Sequence, residues 1–366
     1  MGFPVLRLPS LVFGNVHRFL KVPEIISLSL CSKRMKKHVR SQEAGLQDRQ
    51  LAIEIHREHI SVEVVQREES LFTWKINPEQ DRNWVDLRGS ISLNIEGVAW
   101  FVKEFSELEH AGMVFKGWYS IPDEGCYWKD LLTIVKLLRE LFNCSISRIE
   151  LKNGHRLIDA YFKRLFVDTD ALHRADSILI SERRYQPRDM DFMLDHFITD
   201  KLRFEGYGGP EYSYEKPLNF PQIHLSHATW INFEKLLEMV KISKIVKLYG
   251  AKLISDTDIN WFIKWWLASD NRTLETVKIA RGQNSRLPNL PQNPNVPMID
   301  SDIMEGIEST PGKRNRVRIE SGVRIRHNWE QGLDITRKDG VEATILVKNV
   351  NAFGEFYFYV WPLIMI

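Results

Sequence analysis

The chain has 366 residues, 43% of them apolar and 27% charged, with a formal net charge of +2. That length allows two or three domains, and the composition is that of an ordinary folded chain rather than a fibrous or low-complexity one. No run of about 18 apolar residues occurs, which argues against a membrane-spanning helix, and three cysteines (Cys31, Cys126 and Cys144) without CxxC spacing argue against a disulfide scaffold or a zinc site.

The net charge conceals an asymmetry. The first 45 residues hold eight Lys or Arg against two acids, Glu24 and Glu43, so the remainder is slightly acidic. A basic end on a near-neutral chain points to a separate module with its own partner. Within it, Leu8-Pro9 suits a helix start, and Val12, Val16 and Leu20 fall on one helical stripe. Pro23 restarts the chain for a second helix carrying Ile25, Ile26, Leu28 and Leu30. Ser32 suits the cap of a third, with Met35 and Val39 inward and Lys33, Arg34, Lys36 and Lys37 outward. Three short helices of about forty residues make a poor core alone, so this module must bury apolar surface elsewhere. The Leu8–Gly14 run is too short and too soon interrupted for a secretory signal. The expectation is an intracellular chain, cytoplasmic and/or nuclear.

Leu8-Pro9, Val12, Val16, Leu20, Pro23-Glu24-Ile25, Leu28 and Cys31-Ser32-Lys33-Arg34 together resemble the F-box, in its nematode-type version. The resemblance implies docking on a Skp-family adaptor, and through it on a cullin, by Leu8, Pro9, Val12, Val16, Leu20, Ile25 and Leu28. The basic run Lys33–His38 also fits a nuclear-import or nucleic-acid patch, but a solvated helix face is the stronger reading.

From residue 146 a series of strand-like triplets appears: Ile149-Glu150-Leu151, Ile178-Leu179-Ile180, Leu202-Arg203-Phe204, Ile223-His224-Leu225, Val246-Lys247-Leu248 and Val277-Lys278-Ile279. They recur at roughly the 20–29-residue period of leucine-rich repeats. Helical stripes fill two gaps, Phe233–Val240 and Ile259–Trp266. Alternating strands and helices favour a parallel sheet, either an irregular leucine-rich-repeat-like array or a doubly wound α/β domain. In a repeat array the middle residue of each triplet faces the concave side, which nominates Glu150, Leu179, Arg203, His224, Lys247 and Lys278 for substrate binding.

Residues 286–297 form a Pro-rich linker. Beyond it, alternation from Leu333 to Val347 about Asp339-Gly340 predicts a hairpin, and Phe356–Trp361 one further strand.

Catalytic constellations fail on inspection. His224 and His227 with Asp256 and Asp258 lack a convergent frame for a metal. Gly206-Tyr207-Gly208-Gly209-Pro210 lacks the Gly-Lys-Ser/Thr of a phosphate loop, and no nucleophile motif occurs. The expectation is a non-catalytic protein with neither cofactor nor metal, and with nucleic acid and membrane unlike its partners.

Leu225-Ser226-His227-Ala228-Thr229-Trp230, Leu236-Leu237, Phe262-Ile263-Lys264-Trp265-Trp266-Leu267 and the tail Tyr359-Val360-Trp361-Pro362 resemble the F-box-associated type 2 domain of nematodes. The expected order is an F-box at 1–45, a mixed strand and helix connecting region at 46–145, a repeat-like associated domain at 146–285, the linker, and a β-rich cap at 298–366. The fold class is thus α/β: a short helical F-box, an irregular leucine-rich-repeat-like strand–helix array, and a β-hairpin carboxy-terminal cap. What the resemblance implies is the substrate-recognition subunit of a Skp–cullin–F-box ubiquitin ligase with an unknown protein substrate. The alternative is a repeat-type interaction module whose degenerate F-box has no ligase role.

Overall fold

The computed structural model describes residues 10–43, 48–56, 59–76, 91–95, 98–107, 110–117, 126–152, 163, 172–181, 185–209, 211–281, 310–311, 317–320, 323–326, 332–350 and 353–361. Leu8, Pro9 and the Pro-rich linker lie outside them. The chain divides into two compact units, Met1–Glu182 with Asp195–Ile198, and Arg183–Leu194 with Thr199–Ile366.

The first unit begins with α1 (Ser10–His17), α2 (Val22–Cys31) and α3 (Lys33–Glu43). Pro23 stands in the first turn of α2, where its missing N–H breaks no helical bond. The Glu24 carboxylate accepts the Lys21 N–H at 2.7 Å. Ser32 caps α3 as its sequence position predicts, its hydroxyl accepting the Met35 N–H at 3.1 Å. Met35 and Val39 are buried, whereas Lys33, Arg34 and Lys37 are exposed. Phe13 of α1 reaches α3, its ring 4.9 Å from that of His38.

Strands β1 (Arg49–His56), β2 (Ile60–Gln66) and β3 (Glu69–Ile76) form an antiparallel meander. The β2–β3 turn is closed by Arg67 and Glu68, both at positive φ, which gives the twist of a tight hairpin. Then come β4 (Ile91–Ile95), β5 (Val98–Glu107) and β6 (His110–Gly117), antiparallel among themselves, with β6 parallel to β3. Helix α4 (Cys126–Phe142) buries Trp128, Leu131, Ile134, Val135, Leu138 and Leu141, a stripe at helical spacing. It also holds α3, through Lys36 and Glu140 at 2.6 Å. Strands β7 (Ile146–Lys152) and β8 (Arg174–Ile180) follow, parallel to each other, with β7 parallel to β1. The strand order in this unit is β8-β7-β1-β2-β3-β6-β5-β4.

The second unit contains most of α5 (Pro187–His196), then β9 (Ile198–Phe204), β10 (Gln222–Leu225), α6 (Phe233–Ile242), β11 (Ile245–Tyr249), α7 (Asp256–Ala268) and β12 (Thr276–Ala280). Strands β9 to β12 are parallel and stand side by side in chain order. Each predicted triplet lies inside a strand, and both predicted helical stripes are helices. The six apolar flanks of the triplets in β10 to β12 are at most 1% exposed.

Beyond β12 lie β13 (Thr310–Pro311), the hairpin β14 (Val317–Glu320) with β15 (Val323–Arg326), and β16 (Leu333–Thr336), β17 (Glu342–Val350) and β18 (Phe353–Val360). The Asp339-Gly340 turn joins β16 to β17, with Gly340 at φ 83°, a left-handed value that glycine adopts without strain. Strand β18 pairs antiparallel with both β17 and β12, so the tail extends the sheet past its last parallel strand. The rings of Phe262 and Trp266 on α7 each lie 5.1 Å from that of Phe358, which cements helix to sheet. Arg337, 3% exposed, stacks on Trp266, donates to the Asn271 carbonyl at 2.8 Å, and pairs with both carboxylate oxygens of Asp339.

Candidate functional site

On α1 the side chains sort by face. Phe13 and His17 are buried, and burial followed by the charge of Arg49 holds the His17 pKa below its ordinary value. Val12 and Val16 are 40% and 43% exposed, and Phe19, in the turn just after the helix, is 87% exposed. A spacing of four puts Val12 and Val16 on one side of the helix, and Phe19 follows in the turn that Val16 helps close. The predicted stripe therefore keeps Val12 and Val16, but its third exposed member is Phe19, because Leu20 is half-buried. The chain leaves α1 in a turn in which the Phe19 N–H bonds Val16 and the Leu20 N–H bonds His17, a bend that helical periodicity does not reveal. Leu28 is half-buried, whereas Ile25 is 1% exposed. Ile25, also nominated for adaptor docking, thus lies in the interior of the module.

In the second unit the register brings four nominated residues into one row. Arg203 lies opposite His224, His224 opposite Lys247, and Lys247 opposite Lys278, and the row continues to Tyr357. Cross-strand partners share a sheet face, here the one opposite Phe356 and Phe358. Exposure falls along the row: Arg203 is exposed, and His224, Lys247 and Lys278 are intermediate. Glu150 and Leu179 are register partners in the first unit. There the Lys152 ammonium sits 3.1 Å from Glu54 and 3.3 Å from Glu150.

The row has its own chemistry. Arg203 pairs with Glu205 at 2.6 Å. The His224 ring stacks on Tyr249 with centroids 4.9 Å apart. Burial, and then the charges of Arg203, Lys247, Lys278 and Lys201, push the His224 pKa down to about 4. Lys278 sits 4.8 Å from the ring centres of both Tyr249 and Tyr357, and 3.4 Å from Glu355. Although burial opposes it, the hydrogen bond to Tyr357 and the charges of Tyr249, Tyr357 and Glu355 hold the Lys278 pKa above its ordinary value. Its ammonium is consumed inside this cage, so Lys278 shapes the row from within. Tyr357 and Glu355 were missed because the β12–β18 pairing joins segments distant in sequence, and Tyr249 because it stands one residue beyond its triplet. Lys201, exposed and one step along β9 on the same side, was missed because it lies outside the triplet.

The residues dismissed as chemistry have structural work. Ser255 and Asp258 form a reciprocal cap on α7, with the Ser255 N–H donating to Asp258 at 2.8 Å and the Asp258 N–H to Ser255 at 3.2 Å. Asp256 pairs with Arg281. Cys144 is buried, and burial raises its thiol pKa to about 11, far from a reactive thiolate. Among the described residues no group of three or more His, Cys, Asp or Glu is placed to hold a metal, and no helix is long and apolar enough to cross a membrane.

The F-box domain family matches residues 5–45, and the F-box associated family matches residues 215–279. The chain is similar to the uncharacterized protein F59B2.8 of Caenorhabditis elegans, 22% identical over 375 residues, covering 98% of this chain and 78% of that one. No solved structure matches it. With an F-box on the α1–α3 module, an F-box-associated segment running from β10 to β12, and a nematode relative along nearly its whole length, the chain fits a nematode-type F-box protein.

Proposed function

We propose that this chain is the substrate-recognition subunit of a Skp–cullin–F-box ubiquitin ligase, acting in the cytoplasm and/or nucleus. The pairing of F-box and F-box-associated segments supports that class in general. The observation that carries the reading to particular residues is the exposed stripe Val12, Val16 and Phe19. An F-box generally binds a Skp-family adaptor, and this stripe is the apolar surface α1 offers for it; Leu8, Pro9, Leu20, Ile25 and Leu28 are proposed for the same role from the sequence alone. Burying such side chains against a partner contributes about 1.5–3 kcal/mol each.

The body holds the substrate. The parallel succession β9 to β12 is read as an irregular leucine-rich-repeat-like array, with Arg203, His224 and Lys247 as its substrate surface and Glu150 and Leu179 as a further patch. The chain supplies no nucleophile. Holding substrate near a bound conjugating enzyme raises their effective concentration, which suffices for transfer of ubiquitin by that enzyme.

The test is co-purification of the full chain with a Skp-family adaptor. Val16→Glu with Phe19→Glu, both on exposed positions, should cut adaptor recovery by at least about tenfold while thermal unfolding stays unchanged. Undiminished recovery overturns the stripe. Absence of adaptor from the unaltered chain favours the alternative, an interaction module with a degenerate F-box.

A further inference from the structure

The substrate surface carries a charge signature that the ligase reading does not itself supply. On the face of β9 to β11 opposite Phe356 and Phe358, Lys201, Arg203 and Lys247 gather around His224, and all three help depress its protonation. Burial is the larger cause of that depression and the cations add to it, so the gathered cations themselves, not the histidine, make the face positive. The two register-related cations nearest the exposed end, Arg203 and Lys247, stand two strands apart with His224 between them. Strand spacing of about 4.8 Å separates their backbones by about 10 Å.

We infer that this face binds an acidic, extended polypeptide segment crossing β9, β10 and β11, with carboxylates three residues apart engaging Arg203 and Lys247. The inference rests on the substrate-recognition reading and names the chemical class of its substrate. An extended chain in the polyproline II form completes a turn every three residues at about 3.1 Å each, so side chains at i and i+3 lie on one side about 9 Å apart, close to the separation of the two cations. Lys201 flanks Arg203 along β9 and adds a third cation for acidic residues at the margin. His224, neutral at pH 7, lies between as a flat surface stacked on Tyr249, suited to the small or apolar residues between the acids.

Charge alone also suits a single-stranded nucleic acid, but the surface disfavours it. Such sites offer ring faces on which bases stack. Here the rings of His224 and Tyr249 face each other, and those of Tyr249 and Tyr357 are occupied by Lys278. The carboxylates of Glu205 and Glu355 stand among the cations and repel a continuous phosphate backbone, whereas a peptide with spaced acids passes between them.

The experiment is fluorescence polarisation on the full chain with three labelled probes: a short Gly/Ser peptide carrying Glu at every third position, its Gln counterpart, and a single-stranded RNA of equal length. The Glu peptide should bind at least about tenfold more tightly than the other two. Lys201→Glu with Lys247→Glu should remove that preference. Lys241→Glu with Lys244→Glu, the same charge change at two exposed positions around the end of α6, should retain it. Equal binding of Glu and Gln peptides overturns the inference, as does tighter binding of RNA or an equal loss in the control variant. Adaptor co-purification of the Lys201→Glu, Lys247→Glu chain separates the two readings. That variant should still recover adaptor; if the unaltered chain recovers adaptor but shows no peptide preference, the acidic-segment inference alone falls, and if the unaltered chain never recovers adaptor, the ligase reading falls.

Discussion

At the scale of single residues, His224 is the most informative. Its folded pKa of about 4 lies below the ordinary 6.5, chiefly through burial and then through the cations around it. Between those values the unfolded chain takes up a proton that the folded one refuses, so stability falls as pH drops through that window and levels off below it. His224→Gln removes this dependence. Thermal unfolding followed from neutral pH to about pH 4 should show a shallower loss in the variant than in the unaltered chain. Superimposable curves would refute the account of burial and surrounding charge. The same residue marks the limit of sequence reasoning: its place in the row followed from counting residues between apolar flanks, but its lowered pKa depends on burial and then on Arg203, Lys247, Lys278 and Lys201 arriving from three other strands.

At the scale of elements, local chemistry and local structure agree where the signal is short-range. Ser32 and Ser255 stand at helix starts and accept the N–H three residues on, in α3 and α7. Ser255→Ala should cost about 1 kcal/mol of stability in denaturant unfolding, and no measurable loss would mean that Asp258 alone satisfies the first turn. The triplets were legible because a strand with one buried apolar face and one partly exposed polar face repeats every second residue. The Asp339-Gly340 turn was legible because few residues tolerate its backbone angles. What sequence could not supply was tertiary. Val12, Val16 and Leu20 form one stripe by periodicity, yet the turn after His17 brings out Phe19 and tucks Leu20 partly in. Ile25 shares the aliphatic character of the docking residues but packs inward. The 46–145 stretch, read as a mixed strand and helix connecting region, carries β1 to β6 and α4, but the pairing of β1 with β7 was not read from its sequence.

At the scale of the whole molecule, the F-box stripe belongs to the first unit and the basic row to the second, so the two proposed activities should be separable by mutation. The Val16→Glu, Phe19→Glu chain should lose adaptor but keep its preference for the Glu peptide. The Lys201→Glu, Lys247→Glu chain should do the reverse. Substitutions that share no partner act additively, so the chain carrying all four should show both losses without a further drop in thermal stability. Loss of both activities from either pair alone would mean that one surface serves both partners.

The pairing of β18 with β12 has a consequence for biosynthesis. Helix α7 presents Phe262 and Trp266 to Phe356 and Phe358, and the ribosome delivers those two rings long after α7 itself. While the intervening residues are being translated, the nascent chain holds an aromatic helix face without its cover and a parallel strand with a raw hydrogen-bonding edge, both of which favour aggregation. A premature stop codon upstream of Phe353 makes that temporary state permanent. Such a product retains every residue of the F-box and of the basic row, and is still a substrate for quality control rather than a shortened working subunit.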